Sequence, residues 1–96
     1  LASDNLSHFD NLGAVGEVDF TLPPIANGYV FGFHDFTSSV LKVISTEGGN
    51  VVGDTATRSG VSVTAAGGGF TIFSNPAGTK WIVENASSYN QVVSFL

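Results

Sequence analysis

The chain contains no cysteine, which excludes a disulfide framework, a thiolate metal site and a cysteine nucleophile, and leaves packing or association to supply stability. It is also poor in positive charge. Lys42, Arg58 and Lys80 are the 3 basic side chains against 8 acidic ones, the formal net charge is -5, and nothing clusters to neutralise phosphates. Nucleic acid is therefore not an expected partner. No uninterrupted apolar run approaches the roughly 18 residues of a spanning helix, and the first residues do not resemble an export signal, so membrane insertion is not expected. Methionine is absent as well, and the chain reads as a piece of a longer protein.

What is there is apolar and aromatic. Hydrophobic residues make up 43% of the 96, Phe occurs 8 times, and charged residues are only 11%, against about 25% in ordinary soluble domains. A chain of this length forms one domain and buries somewhat above about 60% of its unfolded surface. That core does not hide every large side chain, so part of the surplus is expected to meet another chain, as obligate interfaces resemble a core cut in half.

Residues 1 to 16 are polar, with Leu6, Phe9, Leu12 and Val15 at three-residue spacing, and read as an irregular arm or a linker to a missing upstream domain. From Glu17 the period becomes two. Val18, Phe20 and Leu22 alternate with Glu17, Asp19 and Thr21 until Pro23-Pro24 removes backbone donors. Tyr29, Phe31 and Phe33 then alternate with Val30, Gly32 and His34, giving one aromatic face and one lighter face. Val40 to Ile44 and Val51-Val52 follow, parted by Glu47-Gly48-Gly49-Asn50, a turn composition suited to positive φ. Val61 and Val63, Phe70 to Phe73, Trp81 to Val83 and Val92 to Leu96 continue the rhythm. About eight short strands predict an all-β fold, an antiparallel, jelly-roll-like β-sandwich over residues 17–96.

Little in this pattern carries chemistry. His34-Asp35 is an adjacent titratable pair, but strand neighbours point to opposite faces, so the two do not jointly activate a nucleophile. His8 and Asp10 share a side of an extended arm and fall short of a metal site by one or two ligands. The 8 carboxylates are scattered, and no facing pair of the kind glycoside hydrolysis needs is marked. Gly67-Gly68-Gly69 lacks the following Lys-Ser/Thr and helix of a phosphate loop and precedes a strand. Asn5-Leu6-Ser7 and Asn85-Ala86-Ser87 match the N-glycosylation tripeptide, a pattern frequent by chance. No cofactor and no enzymatic activity are expected. Trp81, with Tyr29, Phe70 and Phe73, suits an aromatic platform for a sugar ring; the plainer reading places Trp81 and Val83 in one buried layer with Phe70 and Ile72.

In order and spacing, Thr21-Leu22-Pro23, Asn27-Gly28-Tyr29-Val30-Phe31, Leu41-Lys42-Val43-Ile44, Gly49-Asn50-Val51-Val52-Gly53, Gly69-Phe70-Thr71-Ile72-Phe73 and Gly78-Thr79-Lys80-Trp81-Ile82-Val83 resemble the small carboxy-terminal β-domains of bacteriophage tailspikes and tail fibres. The resemblance covers roughly residues 17 to 85. It implies a virion domain that closes a homotrimer at the distal end of the protein, acts outside the host cell and touches bacterial surface polysaccharide, any cleaving activity lying in an upstream β-helix. Lys80 stands where a polar Asn or Thr is more usual, and the arm has no counterpart. The expected function is a non-catalytic trimerisation domain; the alternative is a carbohydrate-binding module for capsule or lipopolysaccharide. Val92, Val93, Phe95 and Leu96, apolar on both faces of the last strand, are the expected trimer contacts, and Trp81 and Tyr29 the candidate glycan contacts.

Overall fold

The computed structural model describes residues 8–37, 39–52, 57–64, 66–84 and 93–96, with Val93–Phe95 as backbone alone. Among the described residues the chain is all-β, with no helix. Its strands are β1 (His8–Asp10), β2 (Val18–Thr21), β3 (Val30–His34), β4 (Leu41–Ile44), β5 (Val51–Val52), β6 (Thr57–Arg58), β7 (Gly60–Val63), β8 (Gly69–Ser74), β9 (Trp81–Glu84) and β10 (Val93–Phe95). They form a six-stranded sheet in the order β1-β3-β8-β9-β5-β6 and a four-stranded sheet in the order β10-β7-β4-β2.

Two expectations need correction. The sheets are mixed rather than antiparallel, because β1–β3, β2–β4 and β5–β9 pair in parallel. The arm is not wholly irregular: His8–Asp10 adds an edge strand to the six-stranded sheet, in register with Gly32, Phe33 and His34. Both follow from chain crossings between layers. A strand that returns to the sheet by way of the other layer runs parallel to its neighbour as readily as antiparallel to it, whereas a tight hairpin allows only the second.

The link from β4 to β5 is such a crossing. It leaves the four-stranded sheet at Ile44 and enters the six-stranded one at Val51. Gly48 and Gly49 take φ of +65° and +57°, the left-handed region that residues with a Cβ avoid. The Ser45 hydroxyl donates to Asn50 Oδ1 at 2.5 Å, Asn50 Nδ2 donates to Glu47 Oε1 at 3.3 Å, and the Ile25 amide donates to the same carboxylate oxygen at 2.8 Å.

Alternation sorts the side chains as expected. Val18 and Phe20 of β2 turn inward while Asp19 and Thr21 stay exposed. Phe31 and Phe33 are buried, as are Leu22, Leu41, Val43, Val61 and Val63. The two layers meet through aromatic rings: Phe20, from the four-stranded sheet, lies 5.4 Å from Phe9 and 5.2 Å from Phe33 between ring centroids. At the other end Trp81 stacks on Tyr29 at 5.7 Å and tilts against Phe31 at 6.0 Å. One glycine is fixed by proximity. A methyl at Gly60 would lie 2.4 Å from the Val43 carbonyl oxygen, inside any tolerable contact.

Trp81, Ile72 and Val51 are at 0% exposure, with Phe70 at 4% and Val83 at 8%, so the layer expected from alternation on β8 and β9 is present. Trp81→Ala is predicted to cost about 3–5 kcal/mol, the range for large aromatic truncations in cores. Denaturant titration reads this directly, and a loss under about 1 kcal/mol would mean that the ring contributes little to the core.

Candidate functional site

Trp81 offers no sugar platform on this chain. It is fully buried on the inward face, and Tyr29 beside it is half-buried with its ring stacked on both Trp81 and Phe31. The physical reason is the pairing Ser74↔Trp81, which puts the indole over the inner layer and hands the outward face to its neighbour Ile82. The indole Nε1 is buried without a hydrogen-bond partner among the described residues, a cost of about 1–3 kcal/mol that burial of so large a ring outweighs.

The outward face of the six-stranded sheet carries a pattern of its own. Register aligns Val30 with Phe73, Phe73 with Ile82, and Ile82 with Val52. These four apolar side chains form one straight row across β3, β8, β9 and β5. Each is on the side opposite the core residues of its strand, and each is partly exposed, Val30 to 38%. The next row is polar: His8, Gly32, Thr71 and Glu84 align across β1, β3, β8 and β9. The outward face of the other sheet has no such stripe at its centre. There Asp19, Lys42 and Ser62 align, and Lys42 pairs with Glu17 at 3.4 Å. A sandwich normally shows water a polar face; this row of the four-stranded sheet is polar, with Asp19 exposed, Lys42 partly so and Ser62 buried, whereas the six-stranded sheet is polar only in part.

A second cluster lies where β1 ends. Asn11 is 4% exposed and Asp35 0%. Asn11 Nδ2 donates to Asp35 Oδ1 at 2.7 Å and to Thr37 Oγ1 at 3.2 Å, while Asn11 Oδ1 accepts the Phe36 amide at 2.7 Å. The Thr37 amide donates to the same Asp35 oxygen at 3.0 Å. The Asp35 amide donates to the Gly68 carbonyl at 2.8 Å, and its carbonyl accepts the Gly67 amide at 2.7 Å. The knot therefore ties three connections together: that after β1, that after β3 and that before β8. Asp35 Oδ2 is buried without a partner among the described residues.

His34 and Asp35 do not act as a pair. The carboxylate is buried in the knot, whereas His34 is partly exposed on the outer side, its ring 4.3 Å from that of Phe36 and 6.5 Å from that of His8. Asp10 shares the outward side with His8, but its Oδ1 accepts the Leu12 amide at 2.9 Å, a local turn bond. Among the described residues, no group of three or more His, Cys, Asp or Glu side chains is placed to hold a metal ion.

Of the expected trimer contacts, Val92 lies outside the described residues. Val93 and Phe95 fall on β10, an edge strand paired with β7, and Leu96 is 41% exposed. Comparison with protein-family models, curated proteins and solved structures finds no match.

Neither the apolar row nor the Asn11 knot stands out in sequence. The row's members come from four separate strands, and Asn11 and Asp35 are 24 positions apart; only register and packing unite them. Asn11→Ala is predicted to destabilise the fold by about 2–4 kcal/mol, since it removes a donor to a buried carboxylate and the acceptor of a backbone amide. Thermal or denaturant unfolding checks it, and a change under about 0.5 kcal/mol would show the tie to be unimportant.

Proposed function

We propose that the chain is a non-catalytic assembly domain that associates with copies of itself, as the terminal domain of a trimeric bacteriophage tailspike or tail fibre on the virion. The observation that carries this reading is the apolar row Val30-Phe73-Ile82-Val52 on an outward sheet face. Apolar area removed from water contributes about 25 cal/mol per Å², and another subunit is the surface best able to cover a flat row four strands wide. The surplus of 43% hydrophobic over 11% charged residues points the same way, and nothing in the site invokes a reaction. Val93, Phe95 and Leu96, on or just after β10, an edge strand among the described residues, are a second subunit contact in this reading. Removing Ser94 to Leu96 is a poor test of it, because the bonds from the Leu96 amide to the Gly60 carbonyl and from the Ser59 amide to the Leu96 carbonyl would go with them.

One observation favours recognition of bacterial capsule or lipopolysaccharide as the alternative. Phe73 is partly exposed in an apolar strip, with Thr71 and Glu84 in the neighbouring row, and an aromatic ring flanked by polar groups suits a sugar face. The contact would then be Phe73, in place of Trp81 and Tyr29.

Sedimentation equilibrium separates the two. The intact chain is predicted to associate from micromolar concentration upward, Phe73→Lys to be monomeric with an unchanged circular dichroism spectrum, and Asp19→Lys, on the other sheet, to associate as the parent does. A parent chain that stays monomeric throughout sinks the assembly reading and leaves the glycan one.

A further inference from the structure

Of the asparagines in the chain, Asn27 alone is followed by glycine. Packing separates it from its fellows as well. Asn11 is 4% exposed, with Nδ2 donating to Asp35 and Thr37 and Oδ1 accepting the Phe36 amide. Asn50 is buried too, accepting from the Ser45 hydroxyl and donating to Glu47. Asn75 accepts the amides of Thr79 and Lys80, and it precedes Pro76, whose nitrogen carries no hydrogen. Asn27 is held by none of these means. It is exposed in the turn between β2 and β3, and its side chain makes no hydrogen bond among the described residues. Gly28 takes φ of +90°, and nothing lies within 4 Å of the place a Cβ would occupy.

We propose that Asn27 is a site of spontaneous covalent modification: its carboxamide is lost through a cyclic imide formed with Gly28, leaving aspartate and isoaspartate. The Gly28 nitrogen gives its proton to hydroxide or a general base and attacks Asn27 Cγ. The bond from Cγ to the side-chain nitrogen breaks, and that nitrogen departs with a proton as ammonia. Water then opens the imide. Addition at Cγ restores the ordinary peptide and gives aspartate, whereas addition at the main-chain carbonyl carbon leaves the chain running through Cβ and Cγ as isoaspartate. One water is consumed and one ammonia released, with no change of oxidation state. A glycine at the attacking position matters because a side chain there would crowd the approach of its nitrogen to Cγ.

The turn stands where a longer backbone is felt. A methyl at Gly78 would lie 3.0 Å from the Asn27 nitrogen, so the turn is already packed against the connection between β8 and β9. Two residues on, the Tyr29 amide donates to Ser74 Oγ at 2.9 Å, its carbonyl accepts the Ser74 amide at 3.0 Å, and its ring stacks on Trp81. Isoaspartate adds a methylene to the main chain just ahead of these contacts and a negative charge to a chain already at -5. Tyr29 is therefore displaced from Trp81 in the isoaspartyl form. The proposal is independent of the assembly reading, since it needs only this turn and water.

The test follows the intact chain and Asn27→Gln, whose side chain would have to close a larger ring, through prolonged warming in mildly alkaline buffer, with and without urea. Mass spectrometry reads the exchange of NH2 for OH, and electron-transfer fragmentation of the peptides locates it and distinguishes isoaspartate from aspartate. In the folded parent chain Asn27 is expected to convert within about tenfold of its rate in urea, because an exposed turn opens at little cost beside global unfolding. Asn11 and Asn50 are expected to keep their amides until the chain unfolds, and the product at position 27 contains isoaspartate. Asn27→Gln, with a circular dichroism spectrum matching the parent's, stays unmodified at that position. An Asn27 that converts in urea but not in the folded chain overturns the site, and conversion to aspartate alone overturns the imide route. The modified fraction, separated by anion exchange through its added charge, is expected to unfold at a lower temperature and to show altered fluorescence of Trp81, the chain's 1 tryptophan. A fraction matching the parent in both overturns the displacement of Tyr29.

Discussion

Trp81 can face only one side of its sheet, and most of the molecule's surface follows from that choice. With Trp81 and Val83 buried, the two-residue period of a strand sends Ile82 and Glu84 outward. The pairing of β9 with β8 then fixes Phe70 and Ile72 inside and Thr71 and Phe73 outside. Core and outer row are one arrangement viewed from its two sides. A slip of one residue would exchange them, bringing Glu84 toward the aromatic layer and pushing the indole into water. The large energy attached to the inner layer thus guarantees the position of the weaker outer one.

Edges receive a different treatment. One edge strand of the four-stranded sheet, β2, carries the exposed Asp19 and runs into Pro23-Pro24, a charge and a pair of missing donors that discourage further strands from adding there. One edge strand of the six-stranded sheet, β1, has only three residues and is tied down just beyond its end by Asn11. Short length and a buried anchor do for β1 what charge and proline do for β2. β10 and β6, the other two edge strands among the described residues, lie at the opposite sides of their sheets.

The alternation of Val18, Phe20 and Leu22, of Tyr29, Phe31 and Phe33, and of Trp81 and Val83 was enough to read an all-β fold and its buried layer from sequence, because burial on one face imposes period two. The Gly48-Gly49 turn was legible because its backbone requires glycine. Parallel pairing was not legible. Which strand lies beside which depends on how connections cross between layers, and no residue on β1, β2 or β5 records it. His8–Asp10 is too short to show a period, and its place on an edge comes from Asn11 finding Asp35. The candidate site was misplaced for a related reason. Trp81 is the most conspicuous aromatic in the sequence, but conspicuous size is also what the core takes first, and the partly exposed ring on the outward side of β8 is Phe73, which sequence alone does not separate from its neighbours.

The connectivity also sets a time scale. Between β8 and β9 the chain turns at Asn75, whose Oδ1 accepts the amides of Thr79 at 2.8 Å and Lys80 at 3.1 Å, so this hairpin closes a short loop. Most other pairings wait for distant segments: Phe9 meets Phe33, Val18 meets Leu41, and Val51 meets Trp81. Loop-closure entropy must be met before such contacts return anything, which puts folds of this kind in the millisecond-to-second range rather than the microsecond one. The single tryptophan sits where a local hairpin and a late parallel strand join, so its fluorescence in a stopped-flow mixer follows the slow step directly. A chain that spends that long with its aromatic strands unpaired keeps apolar surface and open strand edges in water while it is still folding.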